Sequence, residues 1–275
     1  DDFDTHVVAP YVADHAAGVT PNPCVECNRH IKFDRLLRRA EALGFDAVAT
    51  GHHARVGRTS SGRFTLERGA DAAKDQSYVV HMLDQAALAR TLFPVGDIDK
   101  AEVRRLAAER GLRTAAKPDS QDVCFISSTG GRERFLGDRI ELRPGRVVDR
   151  AGTAVGTVAA VELVTIGQRR GLGLPGGGPK RYVVDVDVPG AVVTVGAEHD
   201  LLVDHVDVHD VVWSDGPVTG QVRVQTSAHG ATHPAHLHAA GRRVEWDAPQ
   251  RRVAPGQSIV FYDPTDTRVL GGGNA

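Results

Sequence analysis

The chain has 275 residues, with 33 Lys plus Arg against 35 Asp plus Glu, a formal net charge of −2, and 41% hydrophobic residues. That length accommodates two or three compact domains, and the balanced charge excludes a globally basic nucleic-acid binder, leaving any polyanion site to a local patch. No apolar run approaches the roughly eighteen residues of a membrane span and no signal-peptide pattern opens the chain, so a cytoplasmic protein with no membrane partner is expected, and three cysteines are too few and too odd in number for a secreted disulfide framework.

Residues 1–17 read as an amphipathic helix, with Val7, Val8, Tyr11, Val12 and Ala16 on one side and Gly18 as its stop. No initiating Met and no strand precedes it, so the chain is expected to start within a domain. The next stretch, TPNPCVECNRHIKF from Thr20 to Phe33, concentrates chemistry. Pro21 and Pro23 fix φ at two positions and predict a stiff, extended approach to the C-x-x-C of Cys24 and Cys27. Asn28 is the expected N-cap of a helix carrying Ile31, Phe33, Leu36, Leu37, Ala40 and Leu43, closed by Gly44. In that register Cys27 sits just before the positive helix end, near Arg29, His30 and Lys32, where a thiolate is favoured. A C-x-x-C is shared by zinc sites, disulfide oxidoreductases and cysteine catalysts. Zinc would have to enlist Cys124 and a histidine such as His30 to reach four ligands, and a thioredoxin-type motif lacks this proline punctuation, so no metal is expected.

Phe45–Thr50 reads as a short buried strand, which places Gly51, His52, His53, Ala54 and Arg55 at its carboxyl end, where parallel α/β sheets bind ligands. Residues 56–73 predict a polar hairpin. Lys74-Asp75-Gln76-Ser77-Tyr78 follows, with Lys74 and Gln76 suited to phosphate or base contact. A helix runs from Asp99 as N-cap to Gly111. In KPDSQDVCFI, residues 117–126, Cys124 lies between Val123 and Phe125 and by itself reads as a buried core thiol. From Arg143 the pattern becomes glycine-punctuated β, with turns at 149–152 and Pro189-Gly190 and a basic Gly-rich loop around Arg169 and Arg170. Beyond residue 200 the short strands VHDVVW, GQVRVQT, RRVEWD and QSIVFYD predict a small barrel or sandwich.

Taken together, TPNPCVECNRHIKF, TGHHAR, KDQSY, LFPVG with K-x-E-V-R, DSQDVCFI, TIGQRRGLG, PGQSIVFYD and LGGG occur in an order that resembles the tRNA-specific 2-thiouridylase family, from Thr20 to Gly273. The resemblance implies an α/β fold: a Rossmann-like PP-loop nucleotide-binding domain of the adenine nucleotide alpha hydrolase type (1–125), a β-rich central domain (126–200) and a C-terminal β-barrel (201–275). It implies an ATP-dependent, Mg-assisted sulfurtransferase that thiolates C2 of the tRNA wobble uridine, drawing persulfide sulfur from a cysteine desulfurase or sulfur-relay protein, with no DNA partner. By the same resemblance Cys27 is the nucleophile and Cys124 the persulfide carrier, the two pairing in a disulfide. Asn22, Pro23 and Cys24 fall by the target base, Gly51 by ATP, and His52, Lys74, Asp75, Gln76 and Gln257 by the tRNA.

The chain departs from the family pattern in four places. The PP-loop, Ser-Gly-Gly-x-Asp-Ser-Ser, lies upstream of its first residue, so the chain is expected to be N-terminally truncated and unable by itself to bind ATP productively, with a non-catalytic tRNA-binding fragment as the alternative. Cys24 stands where many members have an aspartate, and a thiol cannot do a carboxylate's acid–base work at the same pKa. His53 replaces the usual tyrosine after Gly-His, and Ser227 stands where a tRNA-binding arginine is expected.

Overall fold

The computed structural model describes residues 1–117, 123–127 and 130–275. Within the KPDSQDVCFI stretch, residues 118–122 lie outside them. Helix α1 opens with a π-helical stretch, Asp4–Val8, and continues through Ala9–Ala16, burying Val7 and Tyr11. Helix α2 is continuous through three segments: Pro23–Glu26, the π-helical Cys27–Arg35, and Leu36–Ala42. Its expected start at Asn28 is corrected by six residues. Asn22 is the N-cap, its side-chain oxygen accepting from the Val25 N–H, and Pro23 occupies the first helical position, where a missing N–H costs nothing. At the other end Phe45 N–H bonds the Ala40 carbonyl and Gly44 N–H that of Glu41, with Gly44 at φ +79°. This paired closure draws Phe45 into the helix stop. The expected strand Phe45–Thr50 is accordingly trimmed to β1, Val48–Ala49, which pairs in parallel with β4, Thr91–Leu92.

Between them come the hairpin β2 (Ala54–Arg58) and β3 (Phe64–Arg68), a 3₁₀ turn at Ser77–Val80 and the short α3 (Gln85–Leu88). The well-capped α4 (Lys100–Glu109) follows, with Asp99 as N-cap as its sequence predicts. The one-turn α5 (Cys124–Ser127) and α6 (Arg132–Gly137) close this part.

The central region is a four-stranded sheet in the order β6-β5-β8-β7. Its strands are β5 (Gly145–Asp149), β6 (Ala154–Val158), β7 (Tyr182–Asp187) and β8 (Val192–Gly196). Val147, Val158, Val183 and Val193 fill its core.

The C-terminal strands are β9 (Leu202–Asp207), β10 (His209–Trp213), β11 (Gly220–Gln225), β12 (His233–His238), β13 (Arg243–Arg251), β14 (Ser258–Tyr262) and β15 (Arg268–Asn274). They join a nine-stranded sheet to which the β2–β3 hairpin also belongs, through Val269 opposite Leu66. One core cluster therefore mixes Phe33, Leu37, Val48 and Phe93 with Tyr262 and Val269, so the first part of the chain and the barrel share buried apolar surface. No described helix is long and apolar enough to cross a membrane.

Candidate active site

A cleft of about 580 Å³ opens where α1, α2, α5 and the loop 74–79 meet, and its lining includes Cys24, Cys27 and Cys124. Pro23 and Asn22 form part of its wall, with His52, Asp75 and Gln76 on another side. The barrel contributes Ala228 and His229 from the turn after β11.

Cys124 reaches the cleft because its neighbours are packed away from it. Ile126 is buried, and the Phe125 ring lies 5.5 Å from Tyr11 and 5.0 Å from Phe135, centroid to centroid. Anchoring the turn on both residues leaves Cys124 exposed. The core position read from its apolar neighbours is thus corrected: the apolar run does the packing and the thiol points away from it.

Cys27 is half-buried, in the second turn of α2, and its own N–H is already bonded to the carbonyls of Pro23 and Cys24. The expected thiolate at a free helix end does not hold, because the helix starts before it. Burial pushes the Cys27 thiol up, Lys32 pulls it down, and Cys124 adds to the rise. None of the three cysteines is in a disulfide, so the expected Cys27–Cys124 bond is not a feature of this state.

His52 follows β1 and is buried between Phe33 and Phe93, at 5.7 and 5.9 Å between centroids, with Nδ1 2.9 Å from the Thr50 hydroxyl. Burial first, then Lys32 and His53, lower its pKa to about 4, so the ring is neutral near pH 7. Gly51 precedes it outside the cleft lining, exposed, and a Cβ there would meet nothing within 4 Å. That open backbone at the carboxyl end of a parallel strand fits the approach of a nucleotide.

The Lys74–Gln76 loop is held from below. The Asp75 carboxylate accepts from Arg68 at 2.6 Å, from the Gly69 and Ser77 N–H groups and from the Ser77 hydroxyl. Gln76 Oε1 accepts from the His53 N–H at 3.0 Å, while Lys74 is exposed beyond the cleft lining. Gln257 also lies away from the cleft; its Nε2 donates to the Thr20 carbonyl at 2.6 Å. The neighbouring turn is as close as it can be, since a Cβ on Gly256, at φ +85°, would sit 2.4 Å from Val19. The barrel thereby clamps the segment that enters the Asn22–Cys24 wall.

Several lining residues have no site role in the sequence pattern. Asn28, Tyr78, Ala228 and His229 face the cleft. Tyr78 ends the KDQSY motif and was within reach of sequence reading, whereas His229 depends on how the barrel docks.

Comparison with known proteins covers nearly the whole chain. Residues 1–128 match the family model described as the tRNA methyl transferase HUP domain, 133–197 its PRC-barrel domain, and 203–274 the aminomethyltransferase beta-barrel domain. The protein of Chloroflexus aggregans named tRNA-specific 2-thiouridylase MnmA is 47% identical over 99% of this chain and 77% of its own length. Proteins of the same name from Mycobacteroides abscessus and Mycolicibacterium smegmatis are each 47% identical over 96% of this chain and 75% of theirs. With three family models matched in order and relatives this similar, the chain belongs to the tRNA-specific 2-thiouridylase family.

Proposed function

We propose that this chain is a cytoplasmic, ATP-dependent sulfurtransferase that replaces the C2 oxygen of the wobble uridine of tRNA, position 34, with sulfur. The observation that carries the reading is the convergence of Cys27 and Cys124, distant in sequence, on one cleft walled by Asn22, Pro23 and Cys24.

Cys124, exposed on a firmly anchored turn, is accessible to a donor protein of the cysteine desulfurase or sulfur-relay class that loads it with persulfide sulfur. Cys27, assisted by Lys32, attacks the inner sulfur of that persulfide. The persulfide S–S bond breaks, sulfide is released toward C2, and a transient Cys27–Cys124 bond forms that an external thiol reductant reopens. The cycle begins with Cys27 and Cys124 as free thiols. ATP, assisted by Mg²⁺, would supply adenylation of the C2 oxygen, turning a poor leaving group into AMP; Gly51 is the residue of this chain assigned beside it. The uridine must leave its stack to enter, and Asn22, Pro23 and Cys24 provide a wall for the extruded base. On the tRNA side, His52, Lys74 and Gln76 meet the nucleic acid. Asp75 and Gln257, committed to Arg68, Ser77 and Thr20, act by fixing the loops that meet it.

The test is formation of 2-thiouridine in unmodified tRNA with ATP and a persulfide donor, using this chain and the same chain with the family's phosphate-binding loop supplied at its N-terminus. In whichever form is active, Cys27→Ser and Cys124→Ser are each expected to abolish the product. Activity retained in both serine variants would reject the two-thiol mechanism and direct attention to Cys24.

A further inference from the structure

One polar group in the cleft is not used by the sulfur chemistry. Asn28, the residue after Cys27 on α2, lines the cleft, is 3% exposed, and its side-chain oxygen has no hydrogen-bond partner among the described residues. The other end of the amide fixes which atom that is. Nδ2 donates to the Val79 carbonyl at 2.8 Å, and since a carbonyl can only be faced by the NH₂ group, Oδ1 is the atom left over. The anchor is itself firm, because the turn that carries Val79 is tied to the barrel by the Tyr78 hydroxyl donating to the Ser258 carbonyl at 2.8 Å. A buried acceptor held in this way bears its desolvation penalty until a donor reaches it.

Uracil presents a single donor on its pairing edge, N3–H, between two carbonyl oxygens. Cytosine presents a lone pair at the same position. We propose that Asn28 Oδ1 accepts the N3–H of the target uracil and makes the cleft select uracil over cytosine at the modified position. This inference rests on the reading of the cleft as the uridine site. Turning the amide over to suit cytosine would set Oδ1 against the Val79 carbonyl, two acceptors face to face, so the selectivity is built into the anchor as well as the contact. An amide oxygen also accepts without removing the proton, so Asn28 is a specificity-determining residue and takes no part in proton transfer.

The experiment is a cycle of two proteins and two ligands: wild type and Asn28→Leu, each with the same tRNA carrying uridine or cytidine at position 34. Equilibrium dissociation constants are measured without ATP, so that no catalytic step contributes. Wild type is expected to bind the uridine form roughly ten- to a hundredfold more tightly. Asn28→Leu should lose most of that ratio by weakening the uridine form while leaving the cytidine form nearly unchanged. A ratio undiminished in a variant that melts like wild type overturns the role of Asn28 alone. Wild type binding the two tRNAs alike overturns it whether or not the variant folds. Wild type that binds neither tRNA overturns the thiouridylase reading and this inference together.

Discussion

The Arg68 guanidinium lies 3.8 Å from the centroid of the Tyr262 ring. From that position it bridges Asp75 at 2.6 Å and Asp266 at 2.8 Å, while the Tyr262 hydroxyl reaches the Ser77 hydroxyl at 3.0 Å. The cation ties the Lys74–Gln76 loop to β14 and to the turn between β14 and β15, with Asp75 almost fully buried beneath it. Removing the cation would leave that buried carboxylate with only the Gly69 and Ser77 donors and no counter-charge, a situation that costs about 3 kcal/mol. Arg68→Met should therefore lower unfolding stability by about that amount in urea titration, and tRNA affinity should fall with it because the loop loses its footing. A stability unchanged within about 0.5 kcal/mol would show that the network contributes nothing net.

The half-buried Cys27 thiol is raised above the ordinary cysteine value, chiefly by burial, with Lys32 opposing the rise. Burial disfavours the anion, so alkylation of Cys27 by iodoacetamide, followed by peptide mass spectrometry, should show a midpoint above that of an unperturbed cysteine. Removing the opposing cation must move it further the same way. Lys32→Gln is expected to shift the profile to higher pH and to slow sulfur transfer near neutrality. A profile that does not respond to Lys32→Gln would remove Lys32 from the activation of the thiol.

How much of this was legible in the sequence follows from how local each feature is. Asp99 capping α4 and the hairpin turn at Pro189-Gly190 involve neighbours only, and both stand as read. The start of α2 was equally local but carried two competing signals: Asn22-Pro23 is a cap followed by a first-turn proline, and the prolines alone suggest an extended approach. Cys124 was misread because an apolar run says that something is buried without saying which residue. Phe125 and Ile126 take the core, and only the placement of Tyr11 and Phe135 decides it. The glycines of β15 were visible but their reason was not, since a Cβ on Gly272 would come within 2.6 Å of His81, a residue far away in the chain. The meeting of β15 with the β2–β3 hairpin is of the same kind, a pairing between distant segments that no local pattern encodes.

Three buried histidines make the fold acid-sensitive. His15, His52 and His81 are each held near a pKa of about 4, chiefly by burial, below the ordinary 6.5. The unfolded chain takes up these protons as pH falls through about 6.5, whereas the native chain does so only near 4. Stability is thus fully present above pH 6.5 and drains away as pH drops toward 4, by about 2 kcal/mol per ring between pH 7 and pH 5 as an order of magnitude. Urea unfolding at these two pH values should show the loss, and His81→Gln should reduce its slope by roughly one proton. Equal stability of the wild type at pH 5 and pH 7 would contradict the burial of neutral rings.

Ser227 occupies an exposed place in the turn after β11, beside the cleft-lining Ala228 and His229. Its carbonyl already holds Gln225 Nε2 at 2.8 Å, so the turn is fixed by backbone and by Gln225, and the serine side chain is open to change. An arginine at this position would add a cation at the edge of the cleft without disturbing those bonds. One added phosphate contact steepens the dependence of log affinity on log salt by about 0.7 to 0.9. Ser227→Arg should accordingly bind tRNA more tightly at low salt, with the advantage shrinking as salt is raised and the slope increased by that amount. Tighter binding with an unchanged slope would mean that the arginine acts on the base or on the fold of the turn, and unchanged affinity would mean that the nucleic-acid backbone does not pass this edge of the cleft.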